Sequence, residues 1–159
     1  MAYPTDAEPL KAGSVYSVVV QALDASGNSI AQNSTTLIVL HDSEQQKIAR
    51  IKAVIDAAGL SDDDRALETE VLYRDRRLQE ASISLLETRV TAGSQNPNIY
   101  KVLGDLYRQE GLIDLAGDRY TTAADIAAKQ NDEELLSEVQ KELLELESRA
   151  ESIDSKTTK

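Results

Sequence analysis

Few residues of this chain have the types and spacing that chemistry needs. His41 is the single histidine. An imidazole acts as a general base or a zinc ligand in the company of partners. His41 stands beside Asp42 at a strand-to-helix junction and reads as a surface or capping residue. Asp62-Asp63-Asp64 offers the carboxylates that calcium favours. A calcium loop also needs a glycine at its sixth position and a glutamate at its twelfth. Counted from Asp62, those positions hold Leu67 and Tyr73, so the run reads as the first turn of a helix, where the dipole favours acids. Asn33-Ser34-Thr35 fits the glycosylation sequon, a pattern short enough to arise by chance. The chain has no cysteine, which excludes disulfides and thiolate chemistry. Neither a glycine-rich phosphate loop nor a serine elbow occurs. The reading is non-catalytic, with no catalytic residue, no cofactor and no metal ligand assigned.

Composition narrows the partners. Among 159 residues, 41% are hydrophobic and 28% charged, with no Phe, no Trp and six Tyr. A core must therefore be built from aliphatic residues and tyrosine. The net charge of −11 opposes nucleic acid and anionic membrane surfaces, both of which demand clustered Lys and Arg. It suits a neutral or basic protein or peptide, and it also serves solubility. No apolar run approaches the roughly 20 residues that span a bilayer, and the start Met1-Ala2-Tyr3-Pro4-Thr5-Asp6 does not read as a signal peptide.

The elements follow from periodicity. Val15 to Leu23 and Thr35 to Leu40 are β-prone runs. Asp24-Ala25-Ser26-Gly27-Asn28 supplies turn chemistry between them. From Asp42 the period becomes helical. Asp42 or Ser43 is a candidate cap, Ile48, Ile51 and Ile55 share a face, and Gly59 stops the helix. Ser61 caps a second helix that runs to Arg76 or Arg77. A third runs from Gln79 to Val90 with Ala81, Leu85 and Leu86 inward. Pro97 suits a first helical position. Asn131 reads as the cap of a long last helix, whose stripe is Leu135, Val139, Leu143, Leu146, Ala150 and Ile153.

Residues 97–127 resemble the tetratricopeptide repeat, whose pattern is W-x2-L-G-x2-Y…A-x3-F…P over 34 residues. Here Tyr100, Leu103, Gly104 and Tyr107 are followed by Gly111 at the turn, then Ala116, Tyr120 and Ala123. Gly104 and Ala116 are small enough for two antiparallel helices to approach closely. Tyr100 replaces Trp, Tyr120 replaces Phe, and Ala128 stands where Pro usually ends the repeat. A weaker copy precedes it: Tyr73 lies 34 residues before Tyr107 and Leu86 lies 34 before Tyr120. Ala81 lies 35 before Ala116, a slip of one, and Arg76-Arg77 replaces the turn glycine. The resemblance covers about 61–156. Stacked repeats need closing ends, a role assigned to the helix from Asp42 and to the last helix.

Leu10, Gly13 and Tyr16, with alternating Val18, Val20 and Ala22, resemble the tyrosine corner and last two strands of a fibronectin type III or immunoglobulin-like sandwich. This covers about 10–40. A lone hairpin is marginal in water. The earlier strands lie in a longer parent, or the hairpin docks on the helices, or it pairs with another chain.

The expected fold is mainly α: about six helices in tetratricopeptide-like antiparallel hairpins, with an N-terminal β-hairpin. Residues 1–41 form the hairpin, 42–156 the helical domain and 157–159 a disordered tail. The resemblance implies a groove lined by the first helix of each repeat, here Asn98, Lys101, Val102, Asp105, Arg108 and Gln109. Some family members clamp a peptide carboxylate with Lys and Asn in that groove. Lys101 fits, but Asp105 stands where Asn is typical and would repel a carboxylate, so the groove suits a mixed or basic peptide. The implied function is protein–protein interaction as an adaptor or assembly scaffold. The alternative is a homodimer formed through the hairpin edge or the last helix. The sandwich resemblance points to an exported, envelope-associated parent; without it the chain reads as cytoplasmic.

Overall fold

The computed structural model describes residues 8–157, with side chains through 148. Met1–Asp6 and residues 158–159 lie outside the described residues, as do the side chains of Ala150 and Ile153. Of the expected tail, Thr157 ends the last helix. The chain divides into two compact units, Met1–Lys52 and Ala53–Lys159.

The first unit holds β1 (Val15–Leu23) and β2 (Ser29–Ile38), antiparallel with Val15 opposite Ile38 and a register shift at Ala22/Leu23. The second strand starts earlier than its β-branched run predicts, because pairing with β1 extends it back to Ser29. Asp24 shapes the turn: its Oδ1 accepts the amides of Ser26 at 2.8 Å and Asn28 at 2.9 Å. Gly27 takes a left-handed φ of 84° that a side chain would resist. The tyrosine corner is present, with the Lys11 amide donating to the Tyr16 hydroxyl at 2.8 Å. A Cβ at Gly13 would collide with the His41 imidazole, so His41 is a packing residue against the strand entry. Nearly every residue of the two strands is exposed.

From this unit α1 (Asp42–Ala57) continues into the next and buries none of its residues. The sequence puts its cap at Asp42 or Ser43. Instead the His41 carbonyl accepts the amides of Glu44 and Gln45, and the Gln45 side chain donates to the Leu40 carbonyl at 2.9 Å.

The second unit contains α2 (Asp62–Arg74), α3 (Gln79–Thr91), α4 (Pro97–Gln109), α5 (Ile113–Gln130) and α6 (Glu133–Thr157). Ser61 caps α2, accepting the Asp64 amide at 3.1 Å. Asn131 is not the cap of α6. It closes α5 in a left-handed conformation, and Asp132 caps α6 by accepting the Leu135 amide at 3.1 Å. Asparagine tolerates that φ, which is why it ends one helix rather than starting the next. The core joins Leu86, Ile99, Leu103, Leu106, Ala116, Tyr120, Ala123, Ala127 and Val139. A Cβ on Gly104 would lie 2.5 Å from two carbons of the Tyr120 ring, so only glycine lets α4 and α5 meet this closely.

The weak copy is a true repeat without a register slip. Leu78 N–H donates to Tyr73 O at 3.0 Å, and 34 residues on Leu112 N–H donates to Tyr107 O at 2.9 Å. Arg77 has φ 58° and Gly111 φ 76°. Ser82, not Ala81, stands 34 before Ala116, and both are fully buried. Close helix approach selects for small volume, and serine meets that need as alanine does.

Candidate functional site

The site is built on α4. Asn96 caps this helix through the Asn98 amide at 3.0 Å, and Pro97 opens it. Ile99, Tyr100, Leu103 and Leu106 turn into the core. Lys101, Asp105 and Arg108, spaced by four and three, then share the flank beside that buried stripe. Tyr120 passes over Gly104 and donates its hydroxyl to Asp105 Oδ1 at 2.7 Å. Burial, and then the Asp105 carboxylate, push the Tyr120 hydroxyl pKa well above the usual phenol range, so it stays a donor.

The last helix completes the row. Lys101 Nζ lies 2.9 Å from Glu138 and 3.3 Å from Asp105. Arg108 lies 3.2 Å from Glu142, 4.0 Å from Glu145 and 3.9 Å from Asp105. Burial alone would lower the Lys101 pKa, but the hydrogen bond that Lys101 donates to Glu138 and the Asp105 charge outweigh it and raise the ammonium pKa. Arg108 behaves alike: burial opposes its charge, and Tyr120, Glu142 and Asp105 more than compensate. Both cations therefore stay charged, each paired with carboxylates. Glu138 and Glu145 face outward, 51% and 47% exposed, while Glu142 and Asp105 are largely covered.

Three of the six groove residues named from sequence thus come together: Lys101, Asp105 and Arg108. Val102 packs on the core. Asn98 is exposed. Gln109 accepts a hydrogen bond from the Gln79 side chain at 3.2 Å, which draws it toward α3. Sequence reasoning missed Glu138, Glu142 and Glu145. Their spacing of four and three echoes that of the α4 charges, and this was the available signal.

Acidic residues elsewhere in the helical unit have structural partners. Asp63 accepts Arg89 Nε at 2.8 Å and the Ser94 hydroxyl at 2.7 Å, tying the start of α2 to the α3–α4 connection. Glu87 accepts the Tyr107 hydroxyl at 2.9 Å and Arg119 at 2.8 Å. Among the described residues, no cluster of three or more His, Cys, Asp or Glu is placed to hold a metal. Among them, too, no helix is long and apolar enough to cross a membrane.

No family model and no curated protein matches the chain. A solved structure does. The solution NMR structure of a tetratricopeptide repeat domain protein from Salinibacter ruber superposes with a TM-score of 0.51 at 23% identity, covering 55% of this chain and 88% of that one. The helical region therefore has a tetratricopeptide-like fold, as residues 97–127 imply.

Proposed function

We propose that this chain is a non-catalytic protein–protein interaction module, an adaptor or assembly scaffold, that takes a basic or mixed-charge peptide on the face shared by α4 and α6. One observation carries this. In the row Lys101, Asp105, Arg108, Glu138, Glu142 and Glu145, the carboxylates outnumber the cations and the most exposed members are glutamates. Complementary charge sets partner choice and association rate. The paired cations argue against a carboxylate clamp, because Lys101 already holds two carboxylates.

Fluorescence anisotropy with a labelled lysine- and arginine-containing peptide tests the reading. Glu138→Gln combined with Glu145→Gln weakens binding at least tenfold and reduces its salt dependence. Unchanged affinity in that variant removes the face as the site.

Self-association through the hairpin is the second reading. It is favoured by Val15, Ile30 and Ile38, each about two-thirds exposed, on a sheet whose outer edges are unpaired among the described residues. Light scattering over a tenfold concentration range separates the two. A stable dimer that Val19→Lys converts to monomer supports the hairpin; a monomer throughout removes it.

A further inference from the structure

We propose that the slot between α5 and α6 is a second docking surface, taking an amphipathic helix whose apolar stripe is flanked by Lys or Arg. This goes beyond the reading of the charged face. On α6, Glu138 and Glu142 lie on one side of the buried stripe Leu135, Val139 and Leu146, and Glu147 lies on the other, as 100° per residue requires. The slot is on that other side.

It is lined by Ile113, Gly117, Thr121, Leu143 and Leu146, with the carboxylates of Asp114, Asp118 and Glu147 beside them. Two features shape it for a helix. A Cβ on Gly117 would meet nothing within 4 Å, so an incoming side chain has room at the centre. Ile113 is 37% exposed at the edge, an apolar contact that water does not reward. The same fold already seats helices this way: α4 packs on α3 and α6 packs on α5. The occupant's charge follows from the lining, where three carboxylates stand beside apolar residues and, among the described residues, no cation lines the slot. An apolar stripe alone would leave those acids beside a low-dielectric contact, while flanking Lys or Arg pairs them.

The probe is a labelled 18-residue designed helix with one leucine stripe flanked by lysines, titrated into the full chain. Its counterpart with glutamates in place of the lysines is the control. Gly117→Arg fills the slot and adds positive charge, at an open helical position where the fold is kept. It weakens the lysine peptide at least tenfold, and Asp118→Lys at the exposed rim weakens it severalfold. The titrations are run in the Glu138→Gln, Glu145→Gln background, which silences the charged face and leaves the slot to be read alone. Equal affinity for Gly117→Arg and the parent overturns the proposal, as does equal binding of the glutamate peptide. Sedimentation of the unliganded chain is the last arm. A concentration-dependent dimer that Gly117→Arg abolishes would show the occupant to be a second copy, against the proposal.

Discussion

The two repeats share one backbone and differ in how they fill it. In α4–α5, Gly104 faces Tyr120 and Ala116 closes the contact. Thirty-four residues earlier, α2–α3 carries Glu70, Leu86 and Ser82 at the matching positions. The large ring of the second repeat is replaced by a shorter aliphatic chain, and the glycine by a glutamate that is 2% exposed. Glu70 Oε1 accepts no hydrogen bond, and its other oxygen lies 3.8 Å from Arg74. At the turn, Arg77 holds a left-handed conformation that glycine holds in the second repeat. The backbone hydrogen bonds survive these changes, so the repeat is specified by the spacing of its turns and small contacts. The aromatic packing adds stability to that frame.

Breaking the better-packed repeat has the largest effect. Tyr120→Ala costs about 4 kcal/mol, through the cavity and the lost hydroxyl bond to Asp105; Leu86→Ala costs about 3 kcal/mol. Urea unfolding measures both, and equal losses would contradict the comparison. Next comes the glycine. Gly104→Ala overpacks against the Tyr120 ring and costs about 2 kcal/mol, whereas Glu70→Ala at the matching site stabilises by about 1 kcal/mol, because it removes a buried unsatisfied acceptor. The turns give a smaller contrast: Arg77→Gly stabilises and Gly111→Ala destabilises, each by roughly 1 kcal/mol, read as opposite shifts in Tm.

Glu70 also gives the comparison a pH signature. Burial first, then Asp105 and Asp75, hold its carboxyl above its ordinary 4.5, with Arg74 opposing. The folded chain thus binds this proton more tightly than the unfolded chain. Its contribution to stability is present below 4.5 and is lost as pH rises through the folded value. The stability difference between Glu70→Gln and the parent therefore grows in favour of the variant across that window and is flat above it. A difference that shrinks with rising pH would contradict this.

Much of the fold was legible because the repeat advertises its geometry. Gly104 and Ala116 stand where the helices meet closely, Gly111 takes a left-handed φ, Tyr120 fills the space over Gly104, and fixed spacing places them. The first repeat was harder to align. Ala81 looked like the counterpart of Ala116 by residue type, while the buried position belongs to Ser82, whose polarity hid it. The charged face was half legible. Periodicity puts Lys101, Asp105 and Arg108 on one flank of α4, but their partners Glu138, Glu142 and Glu145 come from α6, 37 residues further along the chain, and no local period encodes that pairing. The cap of α6 was misplaced for a related reason: both Asn131 and Asp132 can cap, and the left-handed turn after α5 claims the asparagine.

The central claim is that the face shared by α4 and α6 receives a basic peptide. Chemical-shift mapping of the labelled chain during titration with the lysine- and arginine-containing peptide tests it most directly. The account predicts saturable shifts centred on Lys101, Asp105, Arg108, Glu138, Glu142 and Glu145. Shifts confined to the hairpin, or none at saturating peptide, would contradict it.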